Sequence, residues 1–153
     1  MDPRSTAKIR LLVADDDASL REALGEFFAR EGYAVSLASS GLEAIEFLRR
    51  RLCDVSVLDG HMPGLTGPQV LRQLLHDAGP AAVPPTLLVS SDVSIETWVR
   101  EQFAMFRAGG AATVATGNPG ALLVGFVPKP FRLEALRRSL EMLLRRQPPF
   151  PPA

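Results

Sequence analysis

Asp15, Asp16 and Asp17 stand in a row directly after the apolar run Ile9-Arg10-Leu11-Leu12-Val13-Ala14, and Asp59 directly follows Val55-Ser56-Val57-Leu58. Short apolar runs closed by acids read as buried strands, and the strands of an open parallel sheet place their carboxyl ends along one edge. Acids that close two neighbouring strands therefore converge in a single crevice. Carboxylates gathered in this way repel, raising the pKa of at least one unless a cation sits among them. A hard divalent ion is the economical explanation, and magnesium takes oxygen ligands from one or two carboxylates plus a phosphate.

The elements that must position these acids follow from periodicity. Leu20, Ala23, Leu24, Phe27 and Phe28 form one apolar helical stripe after the first strand, with Gly32 as the stop. Ala34 to Ala38 is a second short run, and Ser40 with Glu43 forms a capping box opening a helix that carries Leu42, Ile45 and Leu48 inward. Val55 to Leu58 is strand three, Met62-Pro63-Gly64 is loop chemistry, and Val70, Leu71, Leu74 and Leu75 line the next helix up to Gly79-Pro80. Thr86 to Val89 is strand four. Ile95, Trp98, Val99, Phe103 and Phe106 keep helical spacing, Leu122 to Val127 is strand five, and Leu133, Leu136, Leu140, Leu143 and Leu144 line a closing helix. Five alternating strand–helix units predict an α/β fold, doubly wound, with helices on both faces of a parallel sheet.

Two stretches fall outside this alternation. Gly109 to Gly120 is rich in glycine and alanine and reads either as an added hairpin strand beside strand five or as a mobile loop. The proline-rich tail Gln147 to Ala153 is expected to be disordered.

At 153 residues and 46% hydrophobic content the chain suits one domain around one core. Lysine plus arginine and aspartate plus glutamate number 17 each, so no electrostatic case for nucleic acid or an anionic membrane follows. The lone Cys53 beside an apolar strand reads as a buried, inert thiol and favours a reduced, cytoplasmic setting. Met1 to Lys8 lacks the apolar stretch of a secretory signal, and no run reaches the length of a membrane span.

Four pieces in order carry a family resemblance: Leu12-Val13-Ala14-Asp15-Asp16-Asp17, then Asp59 with Met62-Pro63-Gly64 and Gly67, then Val89-Ser90-Ser91, then Phe126-Val127-Pro128-Lys129-Pro130-Phe131. Each alone is common; together, at strand ends, they are specific. Residues 8 to 146 resemble the receiver domain of bacterial two-component response regulators. The resemblance implies a flavodoxin-like sheet of order 2-1-3-4-5 with an insertion before strand five. It implies that Asp59 accepts a phosphoryl group from a sensor histidine kinase or phosphotransfer protein, with Mg2+ held by Asp15, Asp16, Asp59 and the backbone carbonyl of His61. Lys129 then supplies an ammonium to Asp59 and to the phosphoryl group, and Ser90 a switching hydroxyl. Phe126 falls at the aromatic switch position, and the Lys129-Pro130 bond resembles one the family holds in cis.

Several of these residues have plainer readings. Asp17 is read as a helix cap, the His61 imidazole as solvated, Arg49-Arg50-Arg51 and Arg145-Arg146 as solvated helix ends, and Trp98 as core. The chain also departs from the family pattern. Ala14 and Thr66 stand where valine and aspartate are frequent, without removing a ligand. The extra segment around Gly109 to Gly120 borders the helix-four and strand-five face through which receivers dimerise or meet targets, a homodimer being one use of it. Asp92, two residues past Ser90, either orients an attacking water or repels the phosphoryl donor. With no output domain after helix five, the expectation is a stand-alone phosphorylation switch acting on an unknown protein target, and not a turnover enzyme. A phosphorylation-independent scaffold is the alternative, and an aspartyl phosphatase ranks last because His61 occupies the place of its second acid.

Overall fold

The computed structural model describes residues 7–102 and 123–146. Within them lie strands β1 (Arg10–Ala14), β2 (Ala34–Ala38), β3 (Val55–Asp59), β4 (Thr86–Ser90) and β5 (Val124–Pro128), and helices α1 (Ala18–Arg30), α2 (Gly41–Arg49), α3 (Gly67–Ala78), α4 (Val93–Gln102) and α5 (Leu133–Arg146). Every pairing is parallel, and the order is β2-β1-β3-β4-β5. This is the predicted doubly wound sheet, with α1 packed beside α5 and α2 beside α3. The expected insertion at 109–120, Phe103 and Phe106, the start of the predicted fifth strand at Leu122 and the tail at 147–153 lie outside the described residues.

The interior strands β3 and β4 are buried along their whole length, as a sheet covered on both faces requires. Two polar side chains sit within that core: Ser56 and its register partner Thr86 are both fully buried, with their hydroxyls 2.7 Å apart. Since Thr86 Oγ1 donates to the Pro84 carbonyl at 2.8 Å, Ser56 is the donor within the pair.

Several local expectations are corrected. On α1 Leu24 and Phe28 are buried while Ala23 faces solvent. On α2 the inward face is Gly41, Ala44, Ile45 and Leu48, and Leu42, about 100° round the helix from Gly41, is 61% exposed. Ser40 does cap α2, accepting from the Glu43 N–H, but the Glu43 carboxylate turns to the Ser39 N–H and hydroxyl, so the box closes one residue early. A reciprocal capping box forms instead at α3, between Thr66 and Gln69. Ile9 precedes β1 and is 41% exposed. Asp59 and Ser90 are the last residues of their strands and do not follow them, so the rigid ladder itself fixes where these side chains emerge.

Candidate functional site

The carboxyl ends of β1, β3, β4 and β5 meet at one rim. Just past β1, Asp15 is 1% exposed and its N–H donates to the Ala38 carbonyl at 3.1 Å. Its Oδ1 accepts from the Asp17 N–H at 2.9 Å, its Oδ2 from Lys129 Nζ at 3.0 Å, and its carbonyl from the Arg21 guanidinium at 2.8 Å. Asp16 beside it is exposed. Asp17 caps α1, accepting from the N–H groups of Ser19 and Leu20. Asp59 closes β3 at 5% exposure, and Lys129 Nζ lies 3.3 Å from its Oδ1.

Close packing shapes the crevice. A Cβ on Gly67 would stand 2.6 Å from the Asp59 carbonyl oxygen, and one on Gly60 would stand 2.9 Å from Ser90 Oγ, so glycine at both positions lets the loops after β3 press against the strand ends. Ser90 is 2% exposed, its carbonyl accepts from the Lys129 N–H at 2.9 Å, and its Oγ accepts from the Asp92 N–H at 3.0 Å. The Lys129-Pro130 bond is cis. Phe126 is partly buried and packs on the core.

Electrostatics at the rim are unbalanced. Burial, and then the charge of Asp15, push Asp59 up to about 6 against the opposing pull of Lys129. Burial alone pulls Lys129 down, but its hydrogen bond to Asp15 and the charges of Asp59 and Asp15 outweigh that and raise it. One ammonium is thus shared by two buried carboxylates and does not neutralise both. Carboxylate oxygens of Asp15, Asp16 and Asp59 lie within 4.8 Å of one another, an all-oxygen set with one exposed member. Such a set fits a hard divalent cation, which would relieve the charge that burial makes costly at Asp59.

His61 is placed differently from the acids. Its main-chain N–H donates to Asp59 Oδ1 at 3.3 Å, while its imidazole Nε2 reaches outward to Asp92 Oδ2 at 3.1 Å. The other Asp92 oxygen accepts from the N–H and hydroxyl of Ser94 at the start of α4. Hydrogen bonds from Ser94, and then from His61, hold the Asp92 carboxyl below the usual carboxylate range. Arg21, which fastens the Asp15 backbone, and the contact between His61 and Asp92 carry no signal in the sequence: the first depends on where a helix side chain turns, the second on how two loops approach.

Residues 11–115 match the family described as response regulator receiver domain. The response regulator MprA of Mycobacterium leprae is 36% identical over 141 residues, covering 92% of this chain and 53% of that protein. MprA of Mycobacterium tuberculosis strain H37Rv is 35% identical with the same coverage. The chain spans about half the length of the curated relatives it matches. Among solved structures, the receiver domain of the Francisella response regulator 1452 superposes with a TM-score of 0.69 at 24% identity, covering 91% of this chain and 98% of that one, a likeness of fold. Vibrio cholerae chemotaxis protein CheY4 does so at 0.68 and 25% identity, covering 90% and 99%. Among the described residues no helix is long and apolar enough to cross a membrane.

Proposed function

Because the chain belongs to the response regulator receiver domain family, we propose that Asp59 is its phosphoryl acceptor and that phosphorylation of this carboxylate switches the surface the protein presents to a partner. The observation that carries this reading is the shared ammonium: Lys129 Nζ is 3.0 Å from Asp15 and 3.3 Å from Asp59 across a rim where three carboxylates converge. In the transfer, a carboxylate oxygen of Asp59 attacks phosphorus, a P–O bond forms, and the P–N bond to the histidine of a kinase or phosphotransfer protein breaks, its electron pair leaving with the imidazole. Little covalent help is needed; placing the acceptor and neutralising the three phosphoryl oxygens supply the catalysis.

Asp15, Asp16, Asp59 and the His61 carbonyl are the groups that would hold Mg2+, which when bound supplies charge neutralisation for the phosphoryl oxygens. Lys129 keeps Asp59 oriented before transfer and meets a phosphoryl oxygen after it. Ser90 donates its hydroxyl to the phosphoryl group and in turning releases the Asp92 N–H. Phe126, on the neighbouring strand, follows by changing rotamer. The phosphoryl group, which turns the single negative charge of the carboxylate into about −2 and adds acceptor oxygens, is what drives these changes. The protein acts as a phosphoacceptor that takes part in its own phosphorylation and dephosphorylation, not as an enzyme with an external product. A cytoplasmic setting agrees with the buried thiol of Cys53.

Incubation with Mg2+ and acetyl phosphate, read by intact mass, is expected to add one phosphoryl group to the wild type and none to Asp59→Asn. Equal uptake by Asp59→Asn would move the acceptor elsewhere. Absence of uptake by the wild type would leave a scaffold that keeps the fold without the chemistry.

A further inference from the structure

A cavity of about 210 Å3 opens at the amino ends of β1, β3 and β4, the end of the sheet opposite the acidic rim. Strands of five residues keep the two about 15 Å apart. Leu48 of α2, with Val83, Pro84 and Pro85 ahead of β4, gives the cavity apolar walls, and Arg10, Asp54 and Arg51 are its charged residues. Arg10 and Asp54 satisfy each other: the Arg10 N–H and Nε donate to Asp54 Oδ2 at 2.9 and 3.2 Å, and its Nη2 donates to Oδ1 at 2.9 Å. Arg51 stands apart from that pair. Its neighbours in the chain are engaged, Arg49 with Asp77 at 2.7 Å and Arg50 with Glu46 at 3.3 Å, whereas among the described residues no hydrogen bond or ion pair takes up the Arg51 guanidinium.

The backbone at this residue singles out its side chain. Helices α1 and α3 are each followed by a glycine at positive φ, Gly32 at 98° and Gly79 at 80°, whereas α2 is followed by Arg51 at φ 54°. Glycine takes this left-handed position with least strain. The main chain of Arg51 closes the helix through its N–H to the Leu48 carbonyl at 3.0 Å, and its carbonyl accepts from Arg10 Nη1 at 3.5 Å, both of which glycine would do as well. Only the side chain accounts for an arginine there. We propose that this cavity binds a small organic carboxylate, with its hydrocarbon body against the apolar walls and its carboxylate on the Arg51 guanidinium. With Asp54 paired to Arg10, the lining carries one uncompensated positive charge, and the planar fork of a guanidinium suits a group that accepts at two oxygens. The volume is that of about seven waters, which limits the body to a short chain or a single ring. The site makes no use of Asp59 and stands whether or not that residue is the phosphoryl acceptor.

Hexanoate is titrated into the nitrogen-labelled chain and followed by the amide signals of Cys53, Asp54 and Val83, which line or adjoin the walls. Saturable shifts are expected, with a dissociation constant on the order of 1 mM. Hexanol, which keeps the body without the charge, and acetate, which keeps the charge without the body, are each expected to bind about tenfold more weakly. Arg51→Gly relieves the backbone, so its urea midpoint should be no lower than that of the wild type, and it is expected to weaken hexanoate about tenfold while leaving hexanol unchanged. Absence of saturable shifts in the wild type overturns the inference, as does hexanoate bound equally by Arg51→Gly. Acetate that matches hexanoate overturns it too, since the guanidinium would then be a surface cation with no use for the cavity. Asp59→Asn is expected to bind hexanoate as the wild type does; loss of binding there would move the ligand to the acidic rim and overturn the site.

Discussion

Burial does opposite things to the ionisable groups it encloses, depending on whether each has a partner. At the rim, Asp15 and Asp59 are as buried as core residues, yet an ammonium, N–H donors and an oxygen-rich opening surround them, and the strain appears as a carboxyl at Asp59 raised to about 6. Cys53, next to β3's amino end, is enclosed with only the weaker pull of Arg10 to compensate: burial, and then the charge of Asp54, push its thiol up to about 12. The folded state holds that proton more tightly than the unfolded chain, whose cysteine titrates near 8.5. The resulting stability is complete below the unfolded value and is lost as pH rises toward the folded one. Between pH 7.5 and pH 10, wild type should therefore lose about 2 kcal/mol more unfolding free energy than Cys53→Ala, a difference visible in urea midpoints. Parallel losses in the two proteins would mean that the thiol ionises freely in the fold.

Strands and helices convert residue types into positions, and here the hydroxyl pair between β3 and β4 shows how narrowly. Among the described residues no buried side-chain polar atom lacks a partner, and the pair formed by Ser56 and Thr86 meets that condition in the middle of the sheet. Thr86→Val would leave the Ser56 hydroxyl buried without its acceptor and take a donor from the Pro84 carbonyl, costing about 1–3 kcal/mol. Adding Ser56→Ala to that variant removes the orphan, so the double variant should unfold in urea at no lower midpoint than Thr86→Val alone. Two independent, additive losses would show the hydroxyls not to be coupled. Strands of this kind are legible in the sequence, since a fully buried strand is a short apolar run with a hard stop, and Asp59 supplies such a stop. Helix faces were harder. Ala23 and Leu42 are apolar and near the right period, but a stripe read from one sequence is wide enough to include residues at its margin, and only the packing of α1 on β2 and of α2 on α3 decides which margin is wet. The cap of α3 does carry a signal in the sequence, the Thr66 hydroxyl with Gln69 three residues on, which bond each other's main-chain N–H groups.

On the scale of the whole molecule, parallel order places every strand's carboxyl end on one side, which is why groups from positions 15, 59, 90 and 129 share a site although none is near another in sequence. That convergence was legible because it follows from topology. The link between His61 and Asp92 was not, because loops obey no period. The same topology gives a route outward. Ser90 Oγ accepts from the Asp92 N–H, the Asp92 carbonyl accepts from the Ile95 N–H and the Asp92 carboxylate fastens Ser94, so the first turn of α4 is tied to the Ser90 hydroxyl. One turn further lies Trp98, the single tryptophan of the chain, half-buried against the core. If Ser90 turns toward a phosphoryl group it gives up the Asp92 N–H, α4 loses that anchor, and the surroundings of the indole change. Tryptophan emission should therefore shift saturably when Mg2+ and beryllofluoride are added to the wild type. It should stay constant in Asp59→Asn, which lacks the proposed acceptor, and respond weakly in Ser90→Ala, which has no hydroxyl to turn. A wild type that takes up the phosphoryl group from acetyl phosphate yet shows unchanged emission would mean that the signal leaves the site by another path, through Lys129 and β5, since Lys129 is the other group of the site that meets both acids and the end of β4.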